Sequence, residues 1–285
     1  MNNIKILFPE GKKKAFTMSY DDGVIQDKRL ICIMNKYGIK GTFNLNSGFV
    51  GKKERVVIDG YDTDVSKISE DEISYVYSGQ EISCHGLTHI NLKNVNTLNI
   101  INEIIDDKKK LEGITKKIIK GFAYPFGIYD NKIISILEIC GISYARTINR
   151  TGSFEIPDNF MEWNPTCHHN DLDLMKLIKQ FCNESSLLDE SRLFYLWGHS
   201  YEFDQKENWY VIEEAFSYLN KYKDKIWTET NGKIVEYIND FYKLEYSADR
   251  CIIYNPTAQN IWIEINGKKL LVKSGETITD KGEIL

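Results

Sequence analysis

The chain has 285 residues, of which 42% are hydrophobic and 27% are charged, so it can bury a sizeable core in one large domain. Its net charge of -5 and the lack of a long basic stretch argue against a nucleic-acid-binding protein, and no apolar run approaches the roughly 20 residues of a membrane span. The six cysteines form no CxxC pair, which favours reduced thiols over a zinc ribbon or a disulfide framework.

Short β-rich runs alternate with helical patterns along most of the chain. Strand–helix alternation repeated about seven times predicts an α/β fold with a parallel sheet. At this length a closed barrel is the economical arrangement, and an open doubly wound sheet is the alternative. The seven predicted strands are Ala15–Tyr20, Thr42–Asn46, Glu81–Cys84, Ile118–Tyr124, Ser143–Thr147, Leu193–Trp197 and Ile226–Thr228.

Helical patterns with their own start and stop signals lie between these strands. Ser69 and Glu72 form a capping box, and Asp130 is the predicted N-cap of a helix that runs to Gly141. The polar segment 51–67 is interpreted as an inserted loop. Four further helices are predicted over Thr97–Leu111, Asp171–Cys182, Trp209–Tyr222 and Lys233–Leu244. Gly113 is the predicted stop of the first of these helices.

The pattern changes after residue 246. Alternating apolar residues and the turn signals Asn255-Pro256 and Asn266-Gly267 predict antiparallel strands. We therefore divide the chain into a barrel over residues 1–246 and a small β appendage over residues 247–285. We interpret the appendage as a packing flap on the barrel rather than a separate binding module. Its predicted strands are Arg250–Tyr254, Asn260–Ile265 and Lys269–Val272.

Carboxylates and histidines follow the predicted strands where those strands end. Asp21 and Asp22 follow the first strand, and adjacent carboxylates repel each other unless a cation or a shared proton lies between them. His85 and His89 follow the third strand, with the spacing that brings two imidazoles to one side of a helical turn. Either motif alone is more often a turn or an unrelated histidine pair. Because loops after parallel barrel strands share one face, together they predict a metal site with room for water.

In this order the motifs resemble those of the polysaccharide deacetylases, carbohydrate esterases that share the NodB-homology domain. The family's T-F-D-D-G motif corresponds to Ser19–Gly23, and its H-[ST]-x-x-H motif corresponds to His85–His89 with Gly86 in place of Ser or Thr. The R-x-P-[FY]-G motif corresponds to Ala123–Gly127 without its arginine, and the L-x-H motif corresponds loosely to Leu196–His199. The resemblance covers roughly residues 14–245.

The resemblance implies a distorted seven-stranded parallel (β/α) barrel and a metal site. Asp22, His85 and His89 would bind a divalent metal ion, which is usually zinc in such enzymes. The remaining family motif, an acidic residue followed by Trp, is matched to Glu162-Trp163.

The resemblance also implies catalytic roles. Asp21 would be the general base that deprotonates the metal-activated water, and the backbone N–H of Phe126 would stabilise the oxyanion together with the metal. His199 would be the general acid that protonates the departing amine. Amide hydrolysis needs an activated water, an oxyanion stabiliser and a proton for a poor leaving group, and the sequence supplies one candidate for each.

Further residues are candidates for contact with the substrate. They are Tyr124 beside Phe126, Trp163 and His168. Aromatic rings stack on the apolar faces of sugars, but aromatic side chains are also ordinary core material. For His168 the competing interpretation is a loop histidine with a satisfied hydrogen bond.

The missing family arginine leaves Asp21 without the partner that holds and tunes it, because Ala123 stands at that position. Arg146 ends the next predicted strand, so its guanidinium would lie on the same face of the barrel, one strand over. We predict that Arg146 orients Asp21 through a bidentate contact. The competing interpretation is a strand-end arginine paired with a surface carboxylate.

The leading functional prediction is a metal-dependent hydrolase that removes acetyl groups from N-acetylated sugars. The alternatives are an amidase of the same fold that cleaves a non-sugar C–N bond, and a glycan-binding barrel without turnover. The start of the sequence lacks the features of a secretory signal, so a cytoplasmic location is expected. The sequence leaves the glycan and the oligomeric state open.

Overall fold

The computed structural model describes residues 3–183 and 190–285. Within those ranges no helix is long and apolar enough to cross a membrane. The described strands are β1 (Ile4–Leu7), β2 (Lys14–Asp21), β3 (Thr42–Leu45), β4 (Arg55–Ile58), β5 (Tyr61–Asp64), β6 (Glu81–Cys84), β7 (Gly121–Ala123), β8 (Tyr144–Arg146), β9 (Cys167–His168), β10 (Arg192–Gly198), β11 (Ile226–Thr228), β12 (Glu245–Tyr246), β13 (Ile252–Tyr254), β14 (Ile261–Ile265), β15 (Lys268–Val272) and β16 (Thr277–Thr279). The described α-helices are α1 (Asp27–Tyr37), α2 (Glu70–Val76), α3 (Thr97–Thr115), α4 (Asn131–Ile139), α5 (Leu174–Asn183), α6 (Tyr201–Gln205), α7 (Tyr210–Asn220) and α8 (Asn231–Tyr242).

A curled parallel sheet forms the centre of the molecule. Seven strands follow one another in the order β8, β7, β6, β3, β2, β10 and β9, and β11 pairs with the first residues of β2. The predicted distorted barrel of seven parallel strands is therefore confirmed. All pairings in this sheet are parallel, so the carboxyl ends of its strands meet at one edge.

The apolar core fills the space between this sheet and the helices. Phe16 and Met18 of β2 belong to the same buried cluster as Leu30 of α1 and Ile104 of α3. The spacing of the apolar residues on the helices predicts this burial, because residues three and four apart share one helical face. Central parallel strands are buried on both faces, and every residue of β2 after Lys14 is buried.

Two predicted helix starts are confirmed by their hydrogen bonds. Ser69 and Glu72 form the capping box of α2, and the Asp130 side chain accepts from the Ile133 N–H at 2.9 Å at the start of α4. The predicted stop at Gly113 is wrong. Helix α3 continues to Thr115, because glycine in a helix is tolerated at a modest cost.

Several segments differ from the prediction, and β1, α6 and β16 are among the elements that were not predicted. The segment interpreted as a polar loop contains the hairpin of β4 and β5, which turns at Asp59-Gly60, both with positive φ. Strand β9 has only two residues, too few for an alternating pattern to be recognised. The seven predicted strands therefore include β11 but not β9, and no prediction covered α1.

The antiparallel strands predicted near the end of the chain are confirmed. β14 and β15 are joined by a two-residue turn at Asn266-Gly267, in which both residues have positive φ. β14 also pairs with β1, and β13 pairs with β12 and β16. Ile263 of β14 lies in one buried cluster with Tyr195 of the barrel and Ile238 of α8. The division of the chain at residue 246 stays a prediction.

Candidate active site

Most of the predicted site residues lie where the parallel strands end. Asp21 is the last residue of β2, His85 follows β6 directly, and His199 follows β10 directly. Asp21 Oδ2 lies 3.7 Å from His85 Nε2 and 3.9 Å from His199 Nε2. The register of the sheet thus brings three separate motifs to one place.

The predicted metal ligands form a compact group. The ligand atoms of Asp22, His85 and His89 all lie within 4.8 Å of one another. His85 Nδ1 lies 2.8 Å from the Ala123 carbonyl oxygen, to which it donates when protonated, and this leaves Nε2 free to bind a metal. Two imidazoles and one carboxylate are a usual donor set for a catalytic divalent ion. The three side chains therefore fit a metal ion.

The turn after β6 differs from the predicted helical turn. Residues 85–89 form a loop in which Gly86 and His89 have φ values of 78° and 54°. Left-handed backbone at these positions folds the loop back, so that the two histidine rings approach to 4.7 Å between centroids. A loop rather than a helix therefore brings the two histidines together.

The surrounding charges and burial keep two of the predicted ligands, Asp22 and His85, in the protonation states that bind a metal ion. Burial alone would raise the pKa of Asp22, but Lys67 and the nearby histidines outweigh it and hold that pKa below its usual value. Burial lowers the pKa of His85 to about 4, so this imidazole is neutral near pH 7. A carboxylate and a neutral imidazole are the protonation states that bind metal.

Arg146 contacts the predicted base, as expected from the order of the strands. Its Nη2 donates to Asp21 Oδ2, and its guanidinium lies 4.4 Å from the centroid of the Trp197 ring. Nη1 donates instead to the Thr147 carbonyl at 3.3 Å, so the contact with Asp21 is a single hydrogen bond rather than a bidentate one. Arg146 is 1% exposed, which excludes the interpretation as a surface ion pair.

Asp21 is held from a second side by Asn44. The Asn44 Nδ2 donates to Asp21 Oδ1 at 2.7 Å, so each oxygen of the carboxylate has its own donor. Burial would raise the pKa of Asp21, but the charge of Arg146 and the contributions of His85 and His199 lower it well below its usual value. The Asp21 side chain is therefore an oriented carboxylate.

The acid that faces His199 is Glu202. His199 Nδ1 lies 3.0 Å from Glu202 Oε1, three residues along the chain at the start of α6. The match of Glu162 to the acidic family motif is not supported, because Glu162 accepts a hydrogen bond from Asn159 instead. Burial would lower the pKa of His199, but the hydrogen bond to Glu202 and the nearby aspartates raise it.

Glu202 is also the centre of a second histidine cluster. Its Oε2 lies 3.0 Å from His169 Nε2 and 3.5 Å from His168 Nε2, and Asn170 Nδ2 donates to it. The ligand atoms of His168, His169 and Glu202 all lie within 4.8 Å of one another, as do those of the predicted metal ligands. His168 Nδ1, however, accepts the Asn170 backbone N–H at 3.1 Å, so the proton of the neutral ring is on Nε2 and points to Glu202. The cluster therefore surrounds a carboxylate rather than a metal ion.

The predicted substrate contacts are divided between the site and the core. Phe126 has a φ of 59° and a ring 4.6 Å from that of His89, and its side chain is 55% exposed. His168 is at the site too, with its ring 6.2 Å from that of His199. The assignments of Tyr124 and Trp163 to the substrate are not supported. Both are buried, and neither presents a ring face to a sugar.

Specific neighbours account for those two buried rings. The Tyr124 hydroxyl donates to the Met161 carbonyl at 2.8 Å. The Trp163 ring packs against Phe160 and Tyr195, with centroids 5.1 and 4.4 Å away. Both residues therefore belong to the core. Core packing was the alternative to substrate contact for the aromatic residues of this chain.

A family model described as polysaccharide deacetylase matches residues 9–145, which include the motifs that carry Asp21, Asp22, His85 and His89. Just under half of the chain is therefore similar to the polysaccharide deacetylase family.

Two solved structures, with TM-scores of 0.60 and 0.50, are similar in fold over most of the chain. A candidate polysaccharide deacetylase from Mycobacterium smegmatis is 14% identical, covers 85% of this chain and 96% of its own length, and has a TM-score of 0.60. A CE4 family pseudoenzyme from Bacillus anthracis is 14% identical, with 81% and 68% covered and a TM-score of 0.50. A Streptococcus pyogenes deacetylase in complex with acetate is 19% identical over 51% of this chain, with a TM-score of 0.44, and the match spans only 61% of that protein. None of the curated proteins matches the chain.

The chain departs from the family pattern at one position that supports the predicted base. Ala123 stands where the family's R-x-P-[FY]-G motif has its arginine, and Arg146 lies opposite Ala123 in the register of β7 and β8. Sequence reasoning missed Asn44 and Glu202. For Glu202 a signal existed, since residues three apart meet on one side of a helical turn and His199 precedes it by three.

Proposed function

We propose that the chain is a metal-dependent hydrolase that removes acetyl groups from N-acetylated sugars. The observation that carries this proposal is the position of Asp21. Its carboxylate lies between the predicted ligand His85 and the predicted acid His199, at 3.7 and 3.9 Å, and is ion-paired to Arg146. A base, a metal site and an acid within one side-chain length are what amide hydrolysis requires.

Each side chain at the site has its own part in the proposed reaction. Asp21, held by Arg146 and Asn44, accepts the proton of the attacking water. The backbone N–H of Phe126 faces the oxyanion. His199, with Nδ1 directed to Glu202, presents Nε2 to the departing amine and donates its proton there.

Asp22, His85 and His89 would hold the metal ion. When bound, a divalent ion supplies Lewis-acid activation of water and of the acetamide carbonyl. We propose zinc, because two histidines and one aspartate are ligands that zinc prefers.

The test is release of acetate from N-acetylglucosamine oligomers by protein reloaded with zinc. Asp22→Ala, His85→Ala and His89→Ala should each lose most of the bound metal and the activity together, because each removes one of three ligands. Asp21→Asn should keep the metal but lose turnover. Full metal occupancy in His89→Ala would contradict the assigned ligands.

The same assay separates the alternatives. Turnover of cyclic amides without turnover of acetylated sugars would identify an amidase of the same fold. Sugar binding without acetate release by the metal-loaded protein would identify a glycan-binding barrel. The retained Asp21 and His199 favour hydrolysis, because a binding protein has no need for a base and an acid beside a metal site.

A further inference from the structure

A lysine lies beside the predicted metal ligands. Lys67 Nζ is 3.9 Å from Asp22 Oδ1, and its side chain is only 11% exposed. At that distance the ammonium acts on the carboxylate through its charge rather than through a hydrogen bond. The sequence pattern did not single out Lys67, because it lies in the segment interpreted as a loop.

The main chain fixes Lys67 in this position. Lys67 forms a bridge with Val24, two residues after Asp22. The Ile68 N–H donates to the Gly23 carbonyl at 3.0 Å, and the Ile25 N–H donates to the Ser66 carbonyl at 2.9 Å. The two segments are therefore held together on both sides of Lys67, which fixes the backbone of Lys67 beside the segment that carries Asp22.

The charges at the site balance without a metal ion. Asp21 is paired with Arg146, and Asp22 has Lys67 as its nearest cation among the described residues. A divalent ion that binds to Asp22 therefore meets an ammonium already beside its only charged ligand. Like charges at a few ångströms repel by several times the thermal energy at a half-buried site.

We propose that Lys67 is a resident counter-cation of Asp22 that opposes the metal ion and sets its affinity. This inference rests on the proposed metal site. Lys67 neutralises Asp22 when the metal is absent and makes the ion readily exchangeable when it is present. The cost to binding comes from the charge, so it should disappear with an uncharged side chain and persist with arginine.

The test is a titration of metal-free protein with Zn²⁺ in competition with a chromophoric chelator, without substrate. Lys67→Met should tighten binding by about tenfold or more, because one positive charge is removed near a divalent ion. Lys67→Arg should bind Zn²⁺ within about twofold of wild type. Lys52→Met is the matched control, because the Lys52 carbonyl accepts the Lys67 N–H while the Lys52 side chain is exposed and paired with Glu54.

Unchanged or weaker Zn²⁺ binding by Lys67→Met would overturn the proposal, and weaker binding would mean that Lys67 holds Asp22 in its ligating position. Lys67→Gln gives a second neutral variant, and thermal melting of each variant checks that it is folded. The variants of the three metal ligands test the metal site itself. Loss of Zn²⁺ in His89→Ala with no effect of Lys67→Met would reject this inference and leave the proposed function standing.

Discussion

Arg146 contacts the predicted base Asp21 from β8. This strand lies beside β7, where the family motif would place its arginine. Its guanidinium is held between the Asp21 carboxylate and the Trp197 ring. Lysine in its place would keep a charge but lose the planar surface that stacks on Trp197. We expect Arg146→Lys to lower kcat by roughly 10- to 100-fold with the metal content unchanged.

The matched control is Arg150→Lys. Arg150 lies on the surface, paired with Asp171 and Asp173, and exposed ion pairs contribute little. Arg150→Lys should have the kcat and the metal content of the wild type. Wild-type kcat in Arg146→Lys would remove Arg146 from the mechanism and leave Asn44, among the described residues, to orient Asp21.

Glu202 should set the alkaline limb of the pH–rate profile. A general acid works while it is protonated, so activity falls as the pH rises through the pKa of His199. Burial opposes the charged ring, while the hydrogen bond to Glu202 raises its pKa. Glu202→Gln should lower that pKa and move the alkaline limb of kcat/KM to lower pH.

Glu162→Gln is the comparison for this profile, since Glu162 is the acid that the family motif had suggested. It should leave both limbs in place. An unshifted alkaline limb in Glu202→Gln would mean that another group donates the proton.

The chemistry-bearing residues were predictable where sequence neighbours carry the signal. The pair Asp21-Asp22 and the spacing of His85 and His89 indicate the metal site from the sequence alone. Arg146 followed from strand order, because equal register places it beside Ala123. Trp163 was misassigned because a motif match does not show burial.

One buried carboxylate of helix α3, that of Asp107, lies beside the predicted metal ligand His85. Asp107 accepts the Ser47 N–H at 2.8 Å and the His85 N–H at 3.1 Å. Asp107→Ala should leave the Ser47 N–H without this acceptor, while the His85 N–H keeps the Leu45 carbonyl at 3.0 Å, and should lower the free energy of unfolding by about 2 kcal/mol. Chemical denaturation measures this loss, and Asp106→Ala, an exposed neighbour on the same helix, should have little effect.

The loss of free energy of unfolding in Asp107→Ala should depend on pH. Burial raises the pKa of Asp107 to about 7, so between roughly pH 4 and pH 7 the folded protein holds a proton that the unfolded chain releases. This carboxyl therefore stabilises the wild type less as the pH rises through that range. An equal effect of Asp107→Ala at pH 5 and pH 8 would contradict the raised pKa.

Elements were predictable in proportion to their length and their capping residues. α2 and α4 begin where Ser69 and Asp130 indicate, because a cap is a local hydrogen bond. β9 consists of two residues, and its pairing depends on β10 rather than on its own pattern. The β4–β5 hairpin was missed because the apolar residues of β4 are consecutive and β5 is mostly polar and exposed, so neither strand shows hydrophobic alternation.

The molecule is joined by a buried cluster that contains residues of the barrel and of the final strands. Ile263 of β14 is fully buried in it together with Tyr195 and Ile238. Ile263→Ala should lower the free energy of unfolding by about 2–4 kcal/mol and keep one cooperative transition, because the cavity would open in a core shared by both parts. Ile252→Ala in β13 is the control, since Ile252 is 44% exposed.

Differential scanning calorimetry would show the result. Two separate transitions, of which only one moves in Ile263→Ala, would show that residues 247–285 unfold on their own. The prediction from sequence recognised the strands of this region but could not give their partner. The pattern of β1 does not say which strand it will pair with, because that choice depends on the whole topology.

The pairing of β1 with β14 has a consequence for how the protein reaches its fold. Ile4 lies opposite Ile265, so during synthesis β1 has no partner until β14 has been made. Closing so long a loop costs entropy before any contact repays it, and such distant pairings slow folding. During synthesis the edge of β1 and the apolar faces of the shared cluster stay open. Until β14 has been made, such open strand edges and apolar surface favour aggregation.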